Sequence, residues 1–244
     1  MKISGLIRAD KEFGAFAECL KSAYKSSPRY PLAVNGLSGG AQDAFLCESV
    51  VEAHKISGAP VLVLVGSDEG RGQTCASLTR SGLNAVEYKP RDFVFYNVSA
   101  SHDLDRERLR VLSLIKSGKV DAVVTTPAAA LAYTIPRDRL DELSLLLSIG
   151  DTMSPSVLAE KLEAMGFSHV PAVEGTGQFS RRGGIMDFWG ADMPSPVRVE
   201  FFGDEVDRLT EFDPISQRST EAISKIELLP AREVIIDQAP PHGG

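Results

Sequence analysis

Short apolar runs alternating with helix-spaced segments set the architecture of the first half of this chain. Val61-Leu62-Val63-Leu64-Val65 is an unbroken run of β-branched and leucine residues; Ala85–Tyr88 is a further strand candidate, Asp121–Thr126 another of the buried type, and Pro31–Val34 a short one. Between them the apolar period becomes helical. Phe13, Phe16, Ala17 and Leu20 predict a helix over roughly 10–26. A second runs from Ala44 to His54 with Phe45, Val50 and Val51 among its apolar positions, and a third opens at Asp68-Glu69 and ends near Gly82. A fourth, Leu104 to Ile115, carries Leu109, Leu112 and Ile115 and stops at Gly118. Strand–helix–strand order implies parallel strands joined by right-handed crossovers. A continuous apolar run fits a strand buried on both faces, so Val61–Val65 is expected at the sheet centre.

The texture changes near residue 144. Leu145–Ile149 is a strand candidate, and Ser154-Pro155 opens a helix with proline at its first position. Val157, Leu158, Leu162 and Met165 give that helix its apolar face, and Gly166 ends it. Short strands follow at His169–Val173, Gly184–Trp189, Val197–Phe202, Val206–Phe212 and Ile223–Leu229, separated by turn residues. The predicted fold class is α/β: a parallel-sheet domain, then a small α+β domain with a mostly antiparallel sheet. The boundaries are 1–143, 144–232, and a Pro/Gly-rich tail over 233–244 that frays from about Gln238. A length of 244 residues suits two small domains.

Composition narrows the function classes. No apolar run approaches the ~20 residues that span a bilayer, and Met1-Lys2-Ile3-Ser4-Gly5 lacks the apolar core of a signal peptide. A cytoplasmic protein with no membrane partner is expected. The net charge is −7, and residues 144–232 hold 8 basic against 14 acidic side chains. Such a chain is not globally drawn to nucleic acid. Cys19, Cys47 and Cys75 lack zinc-site spacing and read as buried reduced thiols.

Gly36-Leu37-Ser38-Gly39-Gly40-Ala41-Gln42-Asp43 occupies the place of a phosphate-binding loop, after a strand candidate and before a helix. Gly36, Gly39 and Gly40 survive, but the chemistry does not. Gln42 stands where a lysine would neutralise phosphate, and Asp43 where a hydroxyl would hold magnesium. A carboxylate beside a triphosphate is repulsive, by ~4 kcal/mol at 4 Å and an effective dielectric of 20. The expectation is an NTPase-like fold without its nucleotide, with no cofactor, no metal and no catalytic residue. HExxH, GxSxG and CxxC are absent, and His102-Asp103 reads as a helix cap.

The informative stretch is 177–219. With a period of two, Val197, Val199 and Phe201 share the core face of one strand, leaving Arg198, Glu200 and Phe202 on the other. Gly203-Asp204 turns the chain into a hairpin. A two-residue loop opposes Glu200 to Asp207 and a three-residue loop opposes it to Arg208; electrostatics favours the longer. Arg182 enters the preceding strand beside Gly183-Gly184, where missing side chains would let a partner approach. An outward aromatic near two arginines is the composition of a binding hot spot. The competing reading packs Phe202 under a helix and pairs the arginines with local acids.

This stretch resembles the domain shared by the bacterial transcription-repair coupling factors and the excision-nuclease component UvrB. The elements appear in order as Arg182-Gly183 with Asp187 and Phe188, Arg198 to Asp207, and Phe212-Asp213 with Ser216-Gln217-Arg218. The degenerate loop at Gln42 and Asp43, and the lack of room for a DNA-clamping hairpin between Phe93 and Asp103, resemble the coupling factors rather than UvrB. The resemblance implies a docking domain for the excision-nuclease component UvrA, contacted through Arg182, Arg198 and Phe202 with Arg181 as a neighbour. It also implies partners among other domains of a longer chain, which would mask the same face until recruitment. RNA polymerase and DNA would be engaged only through domains beyond residue 244. The expected function is non-enzymatic recruitment in transcription-coupled nucleotide excision repair, the alternative being a fragment of a nucleotide-binding helicase or UvrB-like damage-recognition protein.

Overall fold

The computed structural model describes residues 3–26, 31–91 and 98–233. The aromatic stretch Phe93–Tyr96 and the tail from Gln238 lie outside the described residues. The chain divides into two compact units, one of residues 1–90 and 111–132, the other of 91–110 and 133–244.

The first unit opens with α1 (Ile3–Ala9) and α2 (Lys11–Lys25), the latter capped by Asp10, whose carboxylate accepts from the Glu12 and Phe13 amides. Then come α3 (Gly40–Ser57), β1 (Val61–Leu64), α4 (Asp68–Arg80), capped by the Ser67 hydroxyl, and β2 (Ala85–Tyr88). Helix α5 (Val98–Lys116) leads to β3 (Ala122–Thr125) and the short α6 (Pro127–Leu131); residues 111–116 of α5 group with this unit. The three strands form a parallel sheet in the order β1-β3-β2. Val63, Ala122 and Val124 pack with Cys47, Val50 and Leu78, and Val123 and Tyr88 pack with Val111 and Val120.

The central strand is therefore β3, buried throughout, and not Val61–Leu64 as its composition suggested. Strand β1 lies at the edge, and Leu62 and Leu64 are exposed. The reason is that the expected strand at 31–34 does not form: that segment has irregular backbone, with Leu32 and Val34 exposed. The glycine-rich loop precedes a helix but follows no strand. Two smaller expectations also change. Cys19 is exposed, whereas Cys47 is buried and Cys75 half-buried, with burial raising the Cys75 thiol pKa. His102 and Asp103 lie within α5, not ahead of it.

In the second unit, α7 (Arg137–Glu142), β4 (Leu145–Ser148) and α8 (Pro155–Ala164) precede a six-stranded sheet. Its strands are β5 (Ser168–His169), β6 (Gln178–Arg182), β7 (Ile185–Trp189), β8 (Val197–Phe202), β9 (Glu205–Phe212) and β10 (Ser219–Ile223), ordered β10-β9-β8-β7-β6-β5. All its pairings are antiparallel except β5 with β6. The last strand, β11 (Lys225–Leu228), pairs antiparallel with β4. Helix α8 starts where Ser154 accepts from the Val157 amide. Its Leu158 and Leu162 pack, with Met165, against Phe179, Met186, Phe188, Val197, Val199, Val206 and Leu209. Val157 is exposed instead of joining that face. No described helix is long and apolar enough to cross a membrane.

Candidate protein-docking face

One face of the six-stranded sheet packs under α8; the candidate site lies on the other. Strand alternation puts Val197 and Val199 in the core and Arg198, Glu200 and Phe202 outside. Facing them across β7 are Asp187, opposite Arg198, and Ile185, opposite Glu200. Across β6, Ser180 faces Asp187 and Arg182 faces Ile185. Across β9, Thr210 faces Arg198 and Arg208 faces Glu200.

Two tight turns end this face. The β6–β7 and β8–β9 hairpins each close on two residues, Gly183-Gly184 and Gly203-Asp204. The first residue of each turn has positive φ, +60° at Gly183 and +64° at Gly203, as a type II′ turn requires and glycine tolerates. The hairpin itself calls for glycine at Gly183. Gly184 is itself crowded: a Cβ there would lie 3.3 Å from the Phe201 carbonyl oxygen. The second hairpin is propped along its β9 strand by an antiparallel bridge from Thr152 to Glu205. The Met153 amide donates to the Asp204 carbonyl at 2.7 Å, and the Val206 amide to the Asp151 carbonyl at 2.9 Å.

The hairpin resolves the register in a way neither simple loop allows. The turn has two residues, with Phe202 opposite Glu205 and Phe201 opposite Val206, yet Glu200 faces Arg208. Asp207 is the extra residue of a β-bulge between these pairs. The opposite-charge pairing is realised, but with the shorter loop.

The four expected site residues fall into three environments. Phe202 is 82% exposed at the hairpin end; it does not pack under a helix. Arg182 has 57% of its side chain exposed and only a loose contact with Asp187, at 3.8 Å. Arg198 is different. Its Nε and Nη2 donate to the two Asp187 carboxylate oxygens at 2.7 and 2.8 Å, and its Nη1 donates to the Gln217 carbonyl at 3.2 Å. The guanidinium also sits 4.8 Å from the centre of the Phe212 ring. Its side chain is 17% exposed, that of Asp187 only 3%. The hydrogen bond from Arg198 to Asp187 raises the arginine pKa above its ordinary value, against the opposing effect of burial. Arg198 lies on the expected outer face, with its guanidinium held by Asp187 and Gln217 of its own chain. Arg181, fourth of the set, faces Met186 and so points with Phe179 toward the helix-packed side, exposed at its rim. It does not join Arg182.

Loops explain why Arg198 is covered while Phe202 is not. Ser180 donates to the Pro171 carbonyl at 3.0 Å and Gln217 Nε2 to the Val173 carbonyl at 3.3 Å, so the loop before β6 lies over the Arg198 end of the face. The 213–218 loop closes beside it. Asp213 accepts from the Ile215 and Ser216 amides at 3.1 and 2.6 Å. The bond from Ser216 is the largest influence holding its carboxyl below the ordinary range.

Sequence reasoning left two exposed neighbours on this face outside the site. Ile185, 40% exposed, lies between Arg182 and Glu200. Arg208 has 57% of its side chain exposed and meets Glu200 at 3.8 Å. Strand parity alone would have found Ile185; the charge argument had already set Arg208 opposite Glu200, though through a longer loop than the one that forms.

Residues 145–234, the two-layer α+β unit that carries this mixed cationic and apolar sheet face, match the family of UvrB interaction domains. The chain is homologous to the N-terminal region of the transcription-repair-coupling factors. It is 29% identical to the transcription-repair-coupling factor of Bacillus subtilis over 204 residues, covering 82% of this chain and 17% of the relative. The Myxococcus xanthus protein is 35% identical over 155 residues, 63% of this chain and 13% of the relative. The Escherichia coli protein is 30% identical over 141 residues, 58% and 12% respectively. The chain thus spans less than a fifth of the length of these curated relatives.

Proposed function

We propose that this chain is a recruitment module of transcription-coupled nucleotide excision repair in the cytoplasm, and that its second unit docks the excision-nuclease component UvrA. The observation that carries this reading is Phe202: a benzyl ring 82% exposed on a propped hairpin of a well-packed unit. Leaving such a ring in water forgoes about 1.5–3 kcal/mol of burial, and Arg182 and Ile185 stand on the same face. Docking would bury the ring and place Arg182 against acidic or carbonyl groups of the partner. Arg198 contributes by holding β7, β8 and the 213–218 loop together through Asp187 and Gln217.

The first unit serves as a scaffold that does not hydrolyse ATP. Gln42 and Asp43 support this, as does the irregular backbone where a strand would precede the loop. Calorimetric titration of the chain with purified UvrA, with and without ATP, tests the function. Saturable, nucleotide-independent association is the expected result; no association, or ATP binding by the chain alone, would reject it.

A further inference from the structure

The β-bulge at Asp207 does more than adjust pairing. In a regular two-residue hairpin Asp207 would oppose Glu200, and Arg208 would point to the core side of the sheet, because a one-residue shift exchanges the faces. The extra residue puts Arg208 on the outer face instead. The result is an unbroken cross-strand row, Arg182–Ile185–Glu200–Arg208, spanning four strands, with Phe202 two pairs nearer the hairpin end on the same face. Three strand spacings of ~4.8 Å place the outermost residues of that row about 14 Å apart. The two arginines are equally exposed, 57% of each side chain.

Their local partners hold them weakly. Arg182 meets Asp187 at 3.8 Å, and Asp187 is already engaged by two hydrogen bonds from Arg198. Arg208 meets Glu200 at 3.8 Å, in a pair open to solvent on both sides. Exposed ion pairs of this kind contribute little to stability, so either guanidinium can turn to an incoming carboxylate at small cost. In a unit with 8 basic and 14 acidic residues over 144–232, two loosely held cations around an apolar strip are a local exception.

We infer that Arg208 is a specificity-determining contact of the docking face, paired with Arg182 across Ile185 and Phe202, and that the bulge exists to present it. The occupant is an acidic protein surface that carries an apolar recess for Phe202 and carboxylates for the flanking arginines. Glu200 and Glu205 on the same strands disfavour a phosphate backbone. The inference rests on the UvrA-docking reading and adds to it a residue and a charge requirement.

The test uses the full 244-residue chain and purified UvrA, in calorimetric titrations at low and moderate salt. Arg208→Glu should weaken binding roughly tenfold or more and flatten its salt dependence, with the thermal unfolding midpoint unchanged. Because Arg208→Glu also sets two carboxylates face to face, the exchanged pair Glu200→Arg with Arg208→Glu restores the local attraction while moving the cation. It too should bind weakly. If Arg208→Glu binds as the unaltered chain does while Phe202→Ala does not, the inference is overturned and the docking reading stands. If the unaltered chain fails to bind UvrA, both are lost. If it binds a double-stranded DNA oligonucleotide and Arg208→Glu abolishes that binding, the face reads nucleic acid and the inference is again overturned.

Discussion

Arg198 grips Asp187 through two parallel hydrogen bonds of 2.7 and 2.8 Å, tying β8 to β7 beneath the loops that follow β5 and β9. Asp187 is buried, so the arginine is its counter-ion as well as its donor. Removing one partner of such a pair leaves an uncompensated charge, typically the largest part of the loss. Arg198→Ala should therefore destabilise the second unit by about 3 kcal/mol, read from the midpoint shift in urea unfolding. Adding Asp187→Leu should recover a good part of it. An unchanged midpoint in Arg198→Ala would show that the pair is not structural and would return Arg198 to the contact set.

Glu233 anchors a second buried pair in the same unit. Arg108 Nε donates to its carboxylate at 2.6 Å, and Arg91 lies 2.7 Å from the same oxygen. Burial pushes the Glu233 carboxyl pKa up, but hydrogen bonds from Arg108 and Thr134 and the charges of Arg108 and Arg91 outweigh it. They hold it below the ordinary 4.5. The folded state then binds this proton less readily than the unfolded state, so the stabilisation is present above about pH 4.5 and is lost as pH falls through the depressed value. Glu233→Gln should lower the unfolding midpoint at neutral pH and flatten its fall below about pH 4.5. A variant that keeps the same acid-side slope would remove Glu233 from the explanation.

Much of this was legible from residue pattern, and the failures have physical causes. The β3 run and the α8 start at Ser154-Pro155 were set by local chemistry: buried β-branched residues and a hydroxyl cap. The outward direction of Phe202 followed from alternation alone. Pattern failed where neighbours decide. Val61–Leu64 has the composition of a central strand, but its position depends on whether residues 31–34 pair with anything, and composition does not specify that. Arg198 lies on the expected face, yet its exposure is set by loops that approach from distant sequence. Arg181 and Arg182 look equivalent in sequence; strand parity separates them. The bulge at Asp207 was visible only as a conflict between the turn's length and the charges it had to oppose.

The degenerate phosphate loop makes its own prediction. If lost chemistry alone silences it, Gln42→Lys with Asp43→Thr should restore nucleotide binding. Because residues 31–35 form no strand to position the loop, the expected outcome is that the double variant still shows no saturable ATP binding in a fluorescence titration. Recovery of binding would mean that the backbone is competent and that two side chains were all that was missing.

The most direct measurement compares the unaltered chain with Phe202→Ala for binding to purified UvrA, alongside thermal unfolding of both. An 82% exposed ring adds little to folding, so the unfolding curves should coincide to within about 0.5 kcal/mol. Binding should fall by about 2 kcal/mol, roughly thirtyfold in Kd. Equal affinity for the two proteins, with both fully folded, would contradict the assignment of this face as the docking site.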